Sequence, residues 1–334
     1  MKISKNAIIV ATALKMKGVG NKWVVENIKA DSTESDIIER LAHKKQKSYK
    51  DAECEFDKCK RAVESEIESL ENHADGIIAF CDEGFPTYKS AVKSSYKPVL
   101  LTYKGDLGLL DEKLLKIAVI GLLNPCEKIK DLEEKITAKM LQKDAVIVSG
   151  LAKGCDQIAH EIALKNNGAT IAILPSILRK ILPSSNAELA DEIVANGGLL
   201  ISEYIDECAN PRFGLSQRYI ERDRLQALFS DAVCLVASYA HSDSKVNKSK
   251  DSGARHALEK AKEWDILRIA PKGKDNDERF NLNREILGDD ENPAIEINTQ
   301  NIDSVLDEII QSKQTTSNQV LFLDKITHLD SRKS

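Results

Sequence analysis

Six short apolar runs follow one another from about residue 117: KIAVIG, AVIVSG, TIAILP, GLLISEY, AVCLVAS and DILRIAP. Amphipathic helical patterns separate them at 127–143, 155–167, 186–196, 216–229 and 252–263. Strands that are apolar on both sides must be covered on both faces, so the alternation predicts a mostly parallel sheet between two helical layers. Right-handed crossovers then give a doubly wound α/β domain. Ligands of such sheets bind beyond the carboxyl ends of the strands. Attention therefore falls on Gly121, Ser149-Gly150, Pro175-Ser176, Glu203-Tyr204 and Ser238.

Composition narrows the class. The 334 residues are 42% hydrophobic and 30% charged, enough for a substantial core in one large domain or two ordinary ones. A net charge of −5 argues against indiscriminate nucleic-acid binding and leaves room for a local basic groove. No run of about 18 apolar residues occurs, so no transmembrane helix is expected. The N-terminal apolar run is short and broken by lysines, which argues against export and for a cytoplasmic protein. Seven scattered cysteines without a CxxC pair read as reduced thiols, with no metal site.

Ahead of the α/β pattern, ATALKMKGVGNKWVVENIKA reads as helix, Gly-Val-Gly turn and helix. This is the pattern of a helix-hairpin-helix, whose turn amides can approach a DNA phosphate or simply close a packed hairpin. A charged helix follows over 51–73, then strands at Gly76 to Cys81 and PVLLTYKG. The expected organisation is a small helical domain over 1–73, an α/β domain over 74–312, and a tail over 313–334 with mobile parts. Within 272–334, AIEINTQNIDSVLDEIIQS suggests a last strand and helix.

Four stretches carry candidate chemistry. In SGLAKGCD, Gly150 and Gly154 let the backbone approach a ligand at a helix start, and Lys153 adds a mobile charge. Asp156 competes with that reading, because its carboxylate can satisfy the free amides itself. His160, one turn on, reads as a structural histidine. Residues 210–232 hold Arg212, Arg218, Arg222 and Arg224. Arg218 and Arg222 are four apart and share a helix face, suited either to phosphates or to ion pairs. Arg179 and Lys180 follow a strand end. Lys245, Lys248, Lys250 and Arg255 sit around Ser252-Gly253 at another helix start. No Gly-x-Ser-x-Gly, HExxH or P-loop appears, so no catalytic set and no cofactor is expected. Glu203 is the best single carboxylate candidate.

Taken in order, these motifs resemble the DprA/Smf family of DNA-processing proteins. IVSGLAKGCDQIAHEIAL is similar to the family's SGxAxGID…AH signature, with Cys155 where isoleucine is usual. YIERDRLQALFSDAVCLVAS resembles its FxxRNRIIAGLS…VVVE segment, with Arg222 and Arg224 on the arginines and Asp223 in place of asparagine. DSGARHALEKA resembles its SG…TARxA element in shortened form. GFPTYKSA…KPVLLTYKGDLGLLDEKLLKIAVIG is similar to the family's entry into the core. The likeness is dense over 117–271 and thinner over 76–116 and 285–310.

The resemblance implies an extended Rossmann-like fold, preceded by a helix-hairpin-helix or SAM-like unit. It implies a non-catalytic homodimer that binds single-stranded DNA and helps a RecA-type recombinase load, in DNA uptake (natural transformation) or recombination. The DNA-binding residues carried by the reading are Gly150, Lys153, Gly154, Arg179, Arg212, Arg218, Arg222, Arg224, Ser252 and Gly253. One departure stands out: the family's Gly-Ser-Arg after the first core strand is here Gly121-Leu122-Leu123. That loss keeps an alternative open, a nucleotide-binding sensor or a nucleoside-monophosphate phosphoribohydrolase-like enzyme of the same superfamily, in a mobile-element or defence setting. Its hydrolases carry a PGGxGT turn where this chain has VASYAHSDSK.

Overall fold

The computed structural model describes residues 1–88, 92–208, 211–250 and 253–314, without the side chains of 211–213 and 249. Ten strands form one sheet: β1 (Lys2–Ile3), β2 (Gly76–Ala79), β3 (Leu100–Gly105), β4 (Lys116–Ile120), β5 (Val146–Ser149), β6 (Thr170–Leu174), β7 (Leu199–Ser202), β8 (Ala232–Leu235), β9 (Leu267–Ala270) and β10 (Ile295–Glu296). Their spatial order is β1-β2-β3-β7-β6-β5-β4-β8-β9-β10. All neighbours pair in parallel except β3, which runs antiparallel to β2 and β7.

The chain winds outward from β4 through β5, β6 and β7, then returns to place β8 on the other side of β4. Connections leaving β4 and β8 therefore diverge, and a crevice opens at their carboxyl ends. β4 to β8 are buried along their length, and each is only four or five residues long. Such strands earn their place by packing on both faces.

Helices surround the sheet among the described residues: α1 (Ala7–Lys15), α2 (Asn21–Asn27), α3 (Glu34–Lys45), α4 (Tyr49–Glu68), α5 (Glu127–Leu141), α6 (Cys155–Lys165), α7 (Ala187–Ala195), α8 (Pro211–Leu228), α9 (His241–Val246), α10 (Ala254–Glu263) and α11 (Asn281–Leu287). A further helix spans 302–314. On one face α5, α6 and the 302–314 helix pack Ile129, Ile136, Ala159 and Leu306 against Ile117, Val119 and Ile147. On the other, α8 and α10 bring Leu225, Leu228 and Leu258 onto Ala118, Ile120 and Val148. Among the described residues no helix is long and apolar enough to cross a membrane.

The N-terminal helices share a core with the sheet. Val10, Leu41, Phe56 and Ile67 belong to one buried cluster with Leu174, Ile193 and Leu200. Local signals set these helices: Thr33 and Asp36 make a capping box at α3, and Ser48 caps α4. At the Gly-Val-Gly turn, Gly20 is the cap residue of α2, and the next residue, Asn21, donates from its side-chain Nδ2 to the Lys97 carbonyl at 2.8 Å. The turn is thereby tied to the loop before β3.

Candidate nucleic-acid interface

A cleft of about 740 Å³ lies at the carboxyl ends of β4 and β5, beside the β4–β8 junction where the winding direction changes. Gly121, Leu123 and Asn124 line one wall, and Ala152, Lys153 and Asp156 the next. Tyr219, Arg222, Asp223 and Gln226 of α8 face them, with Gly253, Arg255 and His256 where α10 begins.

Two glycines shape the turn beside it. A methyl group on Gly150 would stand 1.1 Å from Arg222 Nη1, so the arginine lies directly on the strand end. Gly154 has φ +79°, and a methyl there would meet the Leu122 carbonyl at 2.2 Å. Only glycine suits both the left-handed backbone and the close approach. The Cys155 amide then donates to that carbonyl at 2.9 Å, which starts α6 tight against the loop after β4.

The turn is not an empty phosphate cradle. Asp156 Oδ2 accepts from the Gly150 amide at 3.1 Å and from the Ala152 amide at 3.3 Å. An internal carboxylate thus takes two of the donors that an external anion would want. Burial pushes the Asp156 pKa up, and the charge of Arg222 acts in the opposite direction.

Arg222 is 4% exposed. Its Nη1 stands 3.6 Å from Asp156 Oδ2, and its Nε 3.3 Å from Asp223 Oδ1. Neither nitrogen makes a hydrogen bond among the described residues. Burial raises the Asp223 pKa to about 7, against the pull of Arg222 and with a push from Asp156. Lys153 is exposed, with no ion pair among the described residues. Leu122 is buried in the core, whereas Leu123 is 53% exposed on the cleft wall and Ile220 is 41% exposed opposite. His160 is buried beneath, with Nδ1 2.7 Å from Thr170 Oγ1. Burial, aided by Arg222, lowers its pKa to about 3, so it is neutral at pH 7.

With this geometry in place, comparison with known proteins decides the family. The family model described as DNA recombination-mediator protein A matches residues 76–264. The chain belongs to the DprA/Smf family. It is 47% identical to the DNA processing protein DprA of Streptococcus pneumoniae over 129 residues, 38% of this chain and 43% of that one. It is 30% identical to the Bacillus subtilis DprA over 211 residues, 60% of this chain and 67% of that one. Matches to the two Smf proteins of Borreliella burgdorferi and Escherichia coli span about half of those proteins' length. A solved DNA processing protein A from Helicobacter pylori, described for its single-stranded DNA binding mode, aligns with a TM-score of 0.53 and 28% identity. That alignment covers 68% of this chain and 99% of the other. The S. pneumoniae DprA structure gives 0.60 at 24% identity, over 85% and 97%. The extended Rossmann-like fold follows from these matches.

In this DprA/Smf chain the candidate residues divide. Lys153, Arg222 and Gly253 line the switch-point cleft, with Gly150 and Gly154 in the turn beside it. Arg218 and Arg224 line a second cleft of about 550 Å³ between α8, the loop after β7 and the N-terminal helices. There Arg224 holds Glu203 with both terminal nitrogens, at 2.6 and 2.7 Å, and donates to the carbonyls of Tyr96 and Glu221. Arg218 pairs with Asp206 at 2.9 Å and lies over the Tyr204 ring, 4.0 Å from its centroid. Arg179 stands apart, paired with Glu207 at 2.9 Å. Ser252 and the Arg212 side chain lie outside the described residues. The i, i+4 spacing of Arg218 and Arg222 therefore does not bring them to one site. Each follows the carboxylates nearest its own side of α8.

Two features went unread in the sequence. The Asp223 contact with Arg222 joins chain neighbours, which helical spacing places on different faces. Glu133 is wholly buried on α5, and neither of its oxygens has a conventional hydrogen-bond partner among the described residues. The Cys155 thiol beside it is a weak donor. Its position on the Ile129, Ile136, Met140 stripe was the available signal.

Proposed function

We propose that this chain binds single-stranded DNA at the carboxyl edge of its sheet and serves as a recombination mediator. In this reading it acts as a homodimer and assists a RecA-type recombinase onto the strand, without catalysing a reaction itself. The observation that carries the proposal is the switch-point cleft of a DprA/Smf chain, with exposed Lys153 at its mouth and Arg222 in its floor. The single-stranded DNA described for the H. pylori relative supports the ligand. Backbone contacts are assigned to Lys153, with Arg222, Gly150, Gly154 and Gly253 shaping the pocket. Arg218, Arg224 and Arg179, each held by a carboxylate, have a lesser part.

The non-catalytic reading rests on Glu203, the best lone carboxylate, which is engaged on both oxygens by Arg224.

A filter-binding series over salt, with a fluorescent oligothymidylate, tests the proposal. Affinity falls steeply with salt, with a slope of about −0.7 per phosphate neutralised. Lys153→Ala weakens binding and lowers the slope by about one contact. Absence of binding by the wild type at low salt sinks the reading.

A further inference from the structure

Asp223 occupies an unusual place in the switch-point cleft. It follows Arg222 in the chain and meets it through Oδ1, 3.3 Å from Nε. Its other oxygen faces the start of α10, where a methyl on Gly253 would stand 3.2 Å away. The Asp156 carboxylate already serves the same guanidinium from the α6 side, at 3.6 Å, while accepting two loop amides. One buried cation therefore carries two carboxylates, and the second makes no hydrogen bond among the described residues. Asp223 has no structural duty comparable to that of Asp156.

We propose that Asp223 is a built-in counter-anion of this cleft, whose protonation strengthens the binding of phosphate-bearing ligands there. The inference rests on the single-strand reading for its ligand and adds to it a determinant of affinity. With Asp223 ionised, Arg222 is flanked by two negative charges, and an incoming phosphate meets repulsion at the cleft floor. With Asp223 neutral, Arg222 is left with Asp156 alone, and the cleft gains one unit of positive charge. The carboxyl titrates at about 7, so the exchange falls in the physiological range. The sign follows: binding is tighter below that pH and weaker above it.

Every charged neighbour bears on the test. Arg222 and Tyr219 face Asp223 from α8, Asp156 from α6, Lys153 from the preceding loop, and Arg255 and His256 from α10. Among these, His256 carries the side chain that ordinarily titrates in the same window. Its contribution has to be separated by substitution.

The experiment measures anisotropy of a labelled oligothymidylate at pH 6 and pH 8, at constant ionic strength. Wild type, Asp223→Asn and His256→Gln are compared, with inorganic pyrophosphate as a second probe by thermal shift. The wild type should bind about tenfold more weakly at pH 8, the size expected of one unit charge at roughly 10 Å with an effective dielectric of about 20. Asp223→Asn should bind nearly equally at both pH values and more tightly than wild type at pH 8. His256→Gln should keep most of the wild-type dependence. A pH dependence that survives in Asp223→Asn and vanishes in His256→Gln overturns the counter-anion while leaving single-strand binding intact. Failure of wild type and Asp223→Asn alike to bind either probe at either pH overturns both readings together. Binding of the probes by Asp223→Asn alone would be the strongest form of the effect.

Discussion

α8 supplies arginines to two clefts, and the two are finished differently. On the side of the N-terminal helices, Arg224 meets Glu203 in a two-pronged pair and also donates to two carbonyls. Arg218 is closed by Asp206 and the Tyr204 ring. On the side of the switch point, Arg222 is equally buried, yet two of its nitrogens lack hydrogen bonds and its carboxylates stand farther off. A cluster of arginines in sequence is therefore one helix serving two ends. A guanidinium with every nitrogen engaged holds elements together. One held only by charge leaves the local field open to change by a ligand or a proton.

The contrast is broken most sharply at Arg224. Arg224→Met leaves half-buried Glu203 without its partner and should destabilise the fold by about 3 kcal/mol, the low end for a broken buried pair. Chemical denaturation measures it, and the double replacement Arg224→Met with Glu203→Met should recover most of the loss. If the single variant costs under about 1 kcal/mol, the second cleft is not the locked one.

Gly150→Ala probes the open side. The added methyl needs the place of Arg222 Nη1, with Arg222 Cζ 2.2 Å and Gln226 Nε2 2.5 Å away. Overpacking of this kind costs about 1–3 kcal/mol. The variant should also lose single-strand affinity in the folded state, because the displaced guanidinium enters the cleft. A variant with wild-type stability and affinity would show that Arg222 swings away freely, and that the cleft floor is softer than the glycine contact implies.

Much of the layout was open to reading because period and burial coincide. The six apolar runs became strands β4 to β9, and four of the five helical windows agree with their helices to within two residues. The exception is α8, which starts at Pro211 and not near 216. Proline suits a first helical position, but PRFGLSQ carries no apolar period to announce a helix. β1 is two residues long and exists only because β2 offers an edge. The antiparallel direction of β3 has no signature, since an apolar run does not encode its sense. The site was half legible. Glycines at 150 and 154 marked the turn, and Asp156 announced itself as a rival to an external anion. The arginine partners Glu203 and Asp206 lie 21 and 12 residues from Arg224 and Arg218, across a loop whose path only the fold supplies.

The smallest effect sharpens the comparison from beneath the cleft. Glu133 is a third kind of buried charge, with neither a guanidinium nor a hydrogen-bond network to hold it ionised. Desolvation raises its pKa well above the ordinary carboxylate value. The folded state therefore binds its proton more tightly than the unfolded chain does. Stability is highest below the unfolded carboxylate range and is lost as pH climbs from about 4 toward the folded pKa. Glu133→Met removes that loss while keeping the side chain long and unbranched. The variant should match the wild type near pH 4 and exceed it by about 1–2 kcal/mol at pH 8, read as the difference between two urea titrations. Equal curves at both pH values would mean that Glu133 gains a partner in solution, and that this buried acid is satisfied as fully as the Arg224 pair.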